Sequence, residues 1–263
     1  MKKYLSLTLS VLFLICFTGE VDAQKKKKKK KGLTEAVKPK KKSDIKSIKD
    51  VTEKCVKIDG LFNMYQDTTS GKTYIEISED QLNKEFIYFS YVENGVMDAS
   101  SFKGSYRGSK IFKIKKHYNR IEFELPNTRY YFDEENEISK ASDTNINVPI
   151  VLSEKIEGID EKEGKYLIKG EAVFMAETFT RFKPVYPPGW PFFKLGKMNK
   201  DKSKTVAIKN YPENTDVRVQ LVYDGYGTST RGTDALTDGR FVNVTFHQSL
   251  IEMPDNELSL IHI

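Results

Sequence analysis

The chain has 263 residues, 38% of them hydrophobic and 12% aromatic, which is enough to bury one large core or two small ones and excludes a wholly disordered protein. Its formal charge of +6 is unevenly spread: thirteen Lys and two acids between Gln24 and Lys49 carry +11, leaving the remainder mildly acidic at −5. Two cysteines, one of them inside an N-terminal apolar run, exclude an intramolecular disulfide once that run is removed.

Residues 1–23 read as an export signal peptide. Lys2 and Lys3 make the positive start, Leu5 to Phe17 is an apolar stretch too short to span a bilayer comfortably, and Val21-Asp22-Ala23 offers a small residue for cleavage. A lipid anchor on Cys16 is the weaker reading, because Ile15 stands where a lipobox needs a small side chain. The expectation is export to the periplasm, the outer surface or the medium, with no transmembrane segment after cleavage. Residues 24–49 form a Lys-rich linker whose like charges repel and bury nothing, so disorder is expected to about Ser43. It reads first as a solvated spacer; the functional alternative is an arm that touches an anionic cell surface. Nucleic acid is disfavoured, since no aromatics interleave the lysines to stack on bases.

From Asp50 onward the apolar pattern mostly has a period of two. Asp67-Thr68-Thr69-Ser70-Gly71-Lys72 is a turn between Leu61–Tyr65 and Thr73–Ile77, with Tyr74 and Glu76 on one face and Thr73, Ile75 and Ile77 on the other, which predicts a hairpin. Ser78 to Leu82 predicts a short helical turn capped by Ser78. Phe86-Ile87-Tyr88-Phe89-Ser90-Tyr91-Val92 is an apolar run suited to a central strand buried on both faces. A second hairpin joins Ile111–Lys115 to Ile121–Leu125 through His117–Arg120, with Lys outward on one strand and Glu outward on the other.

Further strands are expected at Tyr130–Phe132, Val148–Leu152 and Lys165–Ile168, and a short helix over Glu171–Phe182. Lys183 to Phe193 holds four prolines and cannot be regular, because proline removes donors and fixes φ. Its Tyr186, Trp190, Phe192 and Phe193 are the candidate binding residues, although these aromatics read first as packing back onto the sheet. Val217–Tyr223 and Phe241–Phe246 read as strands joined by a long polar loop from Asp224 to Gly239, a kind of loop that is often functional. The pattern predicts a mainly β fold with a few short helices, as a β-sandwich or a curved antiparallel sheet. Residues 50–95 would be a small β domain or hairpin unit and residues 96–257 a larger β-rich domain.

No catalytic constellation emerges. His117 falls in a turn and His247 at a strand end, with no His-Glu-x-x-His spacing and no paired cysteines to ligate zinc. Asp133-Glu134-Glu135-Asn136-Glu137 reads as a solvated loop before it reads as a calcium site. Gly104–Gly108 lacks the following helix a phosphate cradle needs. Asp234 and Asp238 near Arg231 make no persuasive acid/base pair, and the sequon Asn243-Val244-Thr245 lies inside a strand. Catalytic and metal residues are therefore expected to be none, and Cys55 a small apolar residue.

Asp59–Asp67, Tyr74–Ile77 and Gln81–Phe89, followed by Gly108–Phe112 and Val242–Ile251 before Met253-Pro254, resemble the start of a family of secreted bacterial zinc-dependent metalloproteases. The resemblance spans nearly all of Val51 to Asn256. It implies a signal peptide, two adjoining N-terminal domains of unknown function, and then a catalytic domain with a zinc-binding His-Glu-x-x-His-x-x-Gly-x-x-His motif that this sequence does not contain. On that reading the chain is a non-catalytic scaffold, latency or substrate-docking module, zinc is a cofactor of the missing domain, and the partners are that domain and a polypeptide substrate. The alternative is a free-standing secreted β-protein that binds glycan, lipid or polypeptide. The closing Leu258-Ser259-Leu260-Ile261-His262-Ile263 is what CTG TCT CTT ATA CAC ATC encodes, which resembles a sequencing-adapter end, so the natural sequence is expected to run on from about Glu257.

Overall fold

The computed structural model describes residues 45–130, 146–189, 193–225 and 230–254, together with 135, 137, 139 and 144. The expected signal peptide, the arm as far as Asp44, Tyr131 and Phe132, Asp133 and Glu134, Trp190, Phe192 and the last nine residues lie outside the described residues. In chain order the elements are β1 (Lys46–Ser47), α1 (Ile48–Val51), β2 (Cys55–Ile58), β3 (Met64–Asp67), β4 (Thr73–Ser78), β5 (Glu85–Asn94), β6 (Tyr106–His117), β7 (Arg120–Glu124), β8 (Ile150–Lys155), β9 (Gly158–Asp160), β10 (Lys165–Lys169), α2 (Gly170–Phe174), β11 (Leu195–Asn210), β12 (Asn214–Gly225) and β13 (Phe241–Glu252).

The strands make two sheets, ordered β1-β9-β10-β4-β3-β2 and β11-β12-β13-β5-β6-β7-β8. The fold is mainly β, as the period-two patterns require. Both hairpins form, with Met64 opposite Ile75 and Ile114 opposite Phe123, the first strand of the first hairpin running Met64–Asp67 rather than Leu61–Tyr65. One core draws on both sheets: Met64, Ile75, Ile77 and Ile168 come from the first, and Phe86, Phe112, Val219 and Phe246 from the second. Each such side chain contributes about 1.5–3 kcal/mol on burial. The first sheet's other face carries Tyr65 and Leu167, covered by Ile48 of α1.

Strand β5 is central, lying between β13 and β6, but it is not buried on both faces. Phe86, Tyr88, Ser90 and Val92 point inward and are buried, while Ile87, Phe89 and Tyr91 are half-buried on the outer face. There the rings of Phe89 and Tyr106 lie 5.8 Å apart and Tyr91 stacks on His247 at 4.9 Å. The outer aromatics partly cover one another, and that pattern made the run look buried throughout.

Two other expectations need correction. The helix expected over Glu171–Phe182 stops at Phe174, and the chain runs on irregularly so that Phe179 and Phe182 can enter the core. Phe179 stacks on Tyr88 at 4.5 Å and Phe182 on Phe246 at 4.2 Å. Tyr130 is not in a strand. At the end of the Lys-rich stretch Ser47 pairs with Ile159 and Ile48 is buried, with Ile45, Ile48 and Val51 supplying apolar contacts. Strand β11 gave no period-two signal because it is a lysine-rich edge strand with three register shifts. Exposed charge along an edge discourages pairing with another chain.

Candidate functional site

Three segments converge beyond the ends of β5 and β12. The first is the turn after β5. Its backbone closes through Ser101 N to Val96 O at 3.0 Å and Gly104 N to Val92 O at 2.8 Å. A Cβ on Gly95 would sit 2.3 Å from Ser101 O, so only glycine allows this closure. Inside the turn Met97–Ala99 forms a 3₁₀ turn, and Ser100 takes a left-handed φ of 53°.

The second segment is the polar loop before β13. Thr233 and Leu236 exchange backbone hydrogen bonds at 2.8 and 3.2 Å, and Gly232 passes so close to Leu236 O that a Cβ would lie 1.8 Å from it. Leu236 is buried and anchors the loop to the core. The loop is tied to the first turn by the Thr233 hydroxyl, which donates to Asp98 Oδ2.

The third is the Pro/aromatic segment. Tyr186 accepts a hydrogen bond from Leu195 N at 3.0 Å, Lys183 Nζ donates to Gly196 O at 3.1 Å, and Phe193 packs against the core. Of the four sequence-predicted binding residues, Tyr186 is thus an internal brace, Phe193 reaches the convergence point, and Trp190 and Phe192 lie outside the described residues.

Between the three segments is a cleft of about 550 Å³, within the range of small-ligand and side-chain pockets. Met97, Asp98 and Ser100 line it from the first turn, Thr233, Asp234 and Ala235 from the polar loop, and Phe193 from the third. Behind it stands Arg107, whose Nη2 donates to Ser100 O and Ser101 Oγ, both at 2.9 Å. Its Nε is buried with no acceptor, as is the hydroxyl of Tyr223 with no partner. Burial lowers the Arg107 pKa, against the opposing pull of Tyr223 and Tyr186. Burial raises that of Tyr223 first and Glu177 raises it further.

The arrangement can hold a ligand, and among the described lining residues the hydroxyl hydrogen-bonded to a carboxylate is that of Thr233, on Asp98. Among the described residues no three His, Cys, Asp or Glu side chains group closely enough to hold a metal ion. His247 lies on the outer sheet face, 3.6 Å from Asp216, away from the cleft lining. Cys55 is half-buried beside the small cluster under α1, and burial, then Asp67, push its thiol pKa up. Sequence reading found the polar loop and Phe193 but missed Met97, Asp98 and Arg107. The signal available for them was the pair Gly95 and Gly104 around a turn following a strong strand.

The sequence family DUF5117, a domain of unknown function, matches residues 104–259, more than half of the chain. The chain belongs to the DUF5117 family. A second domain of unknown function, DUF5118, matches residues 45–95 immediately before it. No curated protein and no solved structure matches the chain. The two matches share both sheets: β5 of the DUF5118 stretch lies between β13 and β6 of the DUF5117 stretch, and β4 pairs with β10. The turn carrying Met97 and Asp98 falls in the short junction between the matches, and the rest of the cleft lining comes from DUF5117.

Proposed function

We propose that this DUF5117 chain is the non-catalytic N-terminal region of an exported zinc-dependent metallopeptidase, where it serves as a docking platform for polypeptide substrate. The observation that supports the reading is the adjoining pair of domains of unknown function, a pair that the resemblance to secreted metalloproteases implies ahead of a catalytic domain. The interleaving of the two stretches in both sheets supports a single rigid platform rather than two tethered modules. The cleft favours docking over a purely structural or latency role, since a scaffold needs no open, mixed apolar and acidic recess. A platform joined to a catalytic domain raises the local substrate concentration by tethering, without taking part in bond cleavage.

Zinc chemistry is assigned to no residue of this chain. Among the described residues the donor sets do not fit the ion: Cys55 has no second cysteine, and His247 is stacked on Tyr91. In the proposal zinc belongs to a downstream domain, and the lysine arm is a spacer or a contact to an anionic cell surface.

The test compares this chain with the longest protein encoded by the frame that begins with it. The longer protein is expected to degrade casein in a chelator-sensitive way, and this chain to leave casein intact. Chelator-sensitive cleavage by this chain alone, or no cleavage by either protein with zinc supplied, would overturn the proposal.

A further inference from the structure

We infer that the cleft formed by Met97, Asp98, Phe193 and Asp234 is a subsite for a lysine or arginine side chain presented by an extended polypeptide. The inference rests on the docking role for its biological meaning, but binding itself is a property of this chain.

Charge is the first ground. Asp98 and Asp234 are the charged groups among the described lining residues, and no cationic side chain stands among them. Asp98 accepts the Thr233 hydroxyl on Oδ2, and among the described residues no hydrogen bond or ion pair engages its Oδ1 or either oxygen of Asp234. Arg107 does not neutralise this rim, since its guanidinium is turned to Ser100 and Ser101 behind the cleft wall. Two carboxylates lining one recess make it attractive to an entering cation.

The lining distinguishes an organic cation from a metal ion. Two carboxylates without a third grouped ligand are a poor metal cage. The remaining wall is apolar at Met97, Phe193 and Ala235, and 550 Å³ is far more space than an ion fills. A long aliphatic stem ending in an ammonium or guanidinium matches both parts: the methylenes lie on Met97 and Phe193 while the head reaches the carboxylates. The Phe193 ring adds an attractive face for the cation. Ser100 and Thr233 offer hydroxyl oxygens for the donors that the carboxylates leave over.

The test titrates the purified chain with three blocked peptides, Ala-Ala-X-Ala-Ala, in which X is lysine, norleucine or glutamate, and follows backbone amide shifts by NMR. Norleucine keeps the stem and removes the charge. The lysine peptide is expected to bind roughly three- to ten-fold more tightly than the norleucine peptide, as two partly exposed charge contacts provide, and the glutamate peptide more weakly than either. In the double variant Asp98→Asn/Asp234→Asn the lysine preference should vanish while norleucine binding persists; asparagine keeps an acceptor for Thr233, so the turn is retained. Phe193→Ala should weaken both the lysine and the norleucine peptide, the lysine peptide more because it also loses the ring face that attracts the cation. Equal affinity for the two in the unmodified chain, a preference that survives both asparagines, or no binding of any peptide would overturn the inference. Because the titration needs no catalytic domain, a lysine preference found alongside a failed casein assay keeps the subsite and removes only the peptidase reading.

Discussion

Glu76 is the side chain whose surroundings most constrain its chemistry. It is 5% exposed, accepts hydrogen bonds from Tyr65 Oη at 2.7 Å and Asn63 Nδ2 at 2.9 Å, and has Lys165 Nζ 3.8 Å from Oε1. Removing it leaves a buried hydroxyl and an amide without acceptors. Glu76→Ala is expected to cost about 2–4 kcal/mol of stability, and Glu76→Gln less, because an amide oxygen still accepts; denaturant midpoints check both. Buried tyrosines give a second expectation. Tyr88 and Tyr223 are each 1% exposed, and burial, the first cause at both, holds their protons to higher pH than in water. The unfolded chain releases those protons first. Stability is therefore unaffected by these groups below about pH 10 and falls as pH rises above it, by about 1.4 kcal/mol per pH unit for each tyrosine. Denaturant titrations at pH 9, 10 and 11 measure this, and a flat profile contradicts it.

At the scale of elements, the DUF5118 loop at Ile58–Asn63 is joined to the β11–β12 hairpin by one side-chain amide, beside a backbone bond from Leu61 N to Tyr211 O at 2.7 Å. Asn210 Nδ2 donates to Ile58 O at 2.9 Å and to Phe62 O at 2.7 Å, while its Oδ1 accepts from Thr215 Oγ1 at 2.6 Å. Thr215 Oγ1 in turn accepts from Phe62 N at 3.1 Å. Asn210→Ala is expected to destabilise the protein by about 2–3 kcal/mol, and Asn210→Asp by a similar amount because two donors are lost; thermal unfolding distinguishes these from a surface change of under about 0.5 kcal/mol. Nothing in the sequence marks Asn210, because its partners lie about 150 positions away. Hairpins were legible for the opposite reason: Asp67–Lys72 and His117–Arg120 are local turns between alternating runs. The α2 region was misread because Phe179 and Phe182 continue an apolar spacing that suits a helix, whereas packing on Tyr88 and Phe246 draws them into an irregular path. Phe193 could be singled out by its proline-rich context, but its neighbours Asp98 and Thr233 come from turns that only the tertiary fold brings together.

For the whole molecule, the interleaving of strands decides how the chain unfolds. The DUF5117 stretch alone lacks β5, whose removal would expose the inner faces of β13 and β6 and leave Phe246, Leu250, Phe112 and Ile114 without their central neighbour. Residues 104–257 expressed alone are expected to be aggregated or unfolded, and residues 43–257 to melt in one transition. Two separate transitions, or a soluble folded 104–257 fragment, would contradict a shared core. The mainly β character was legible throughout from period-two alternation. The partition of strands between two sheets was not, because the sheets exchange strands across a long chain and single-strand patterns carry no partner information. The proposal of a docking platform for an exported zinc-dependent metallopeptidase is tested most directly by long reads of the genomic locus across the codon for Glu257. The expected result is a frame that runs on to encode a His-Glu-x-x-His helix; a stop codon immediately after Ile263 would contradict it.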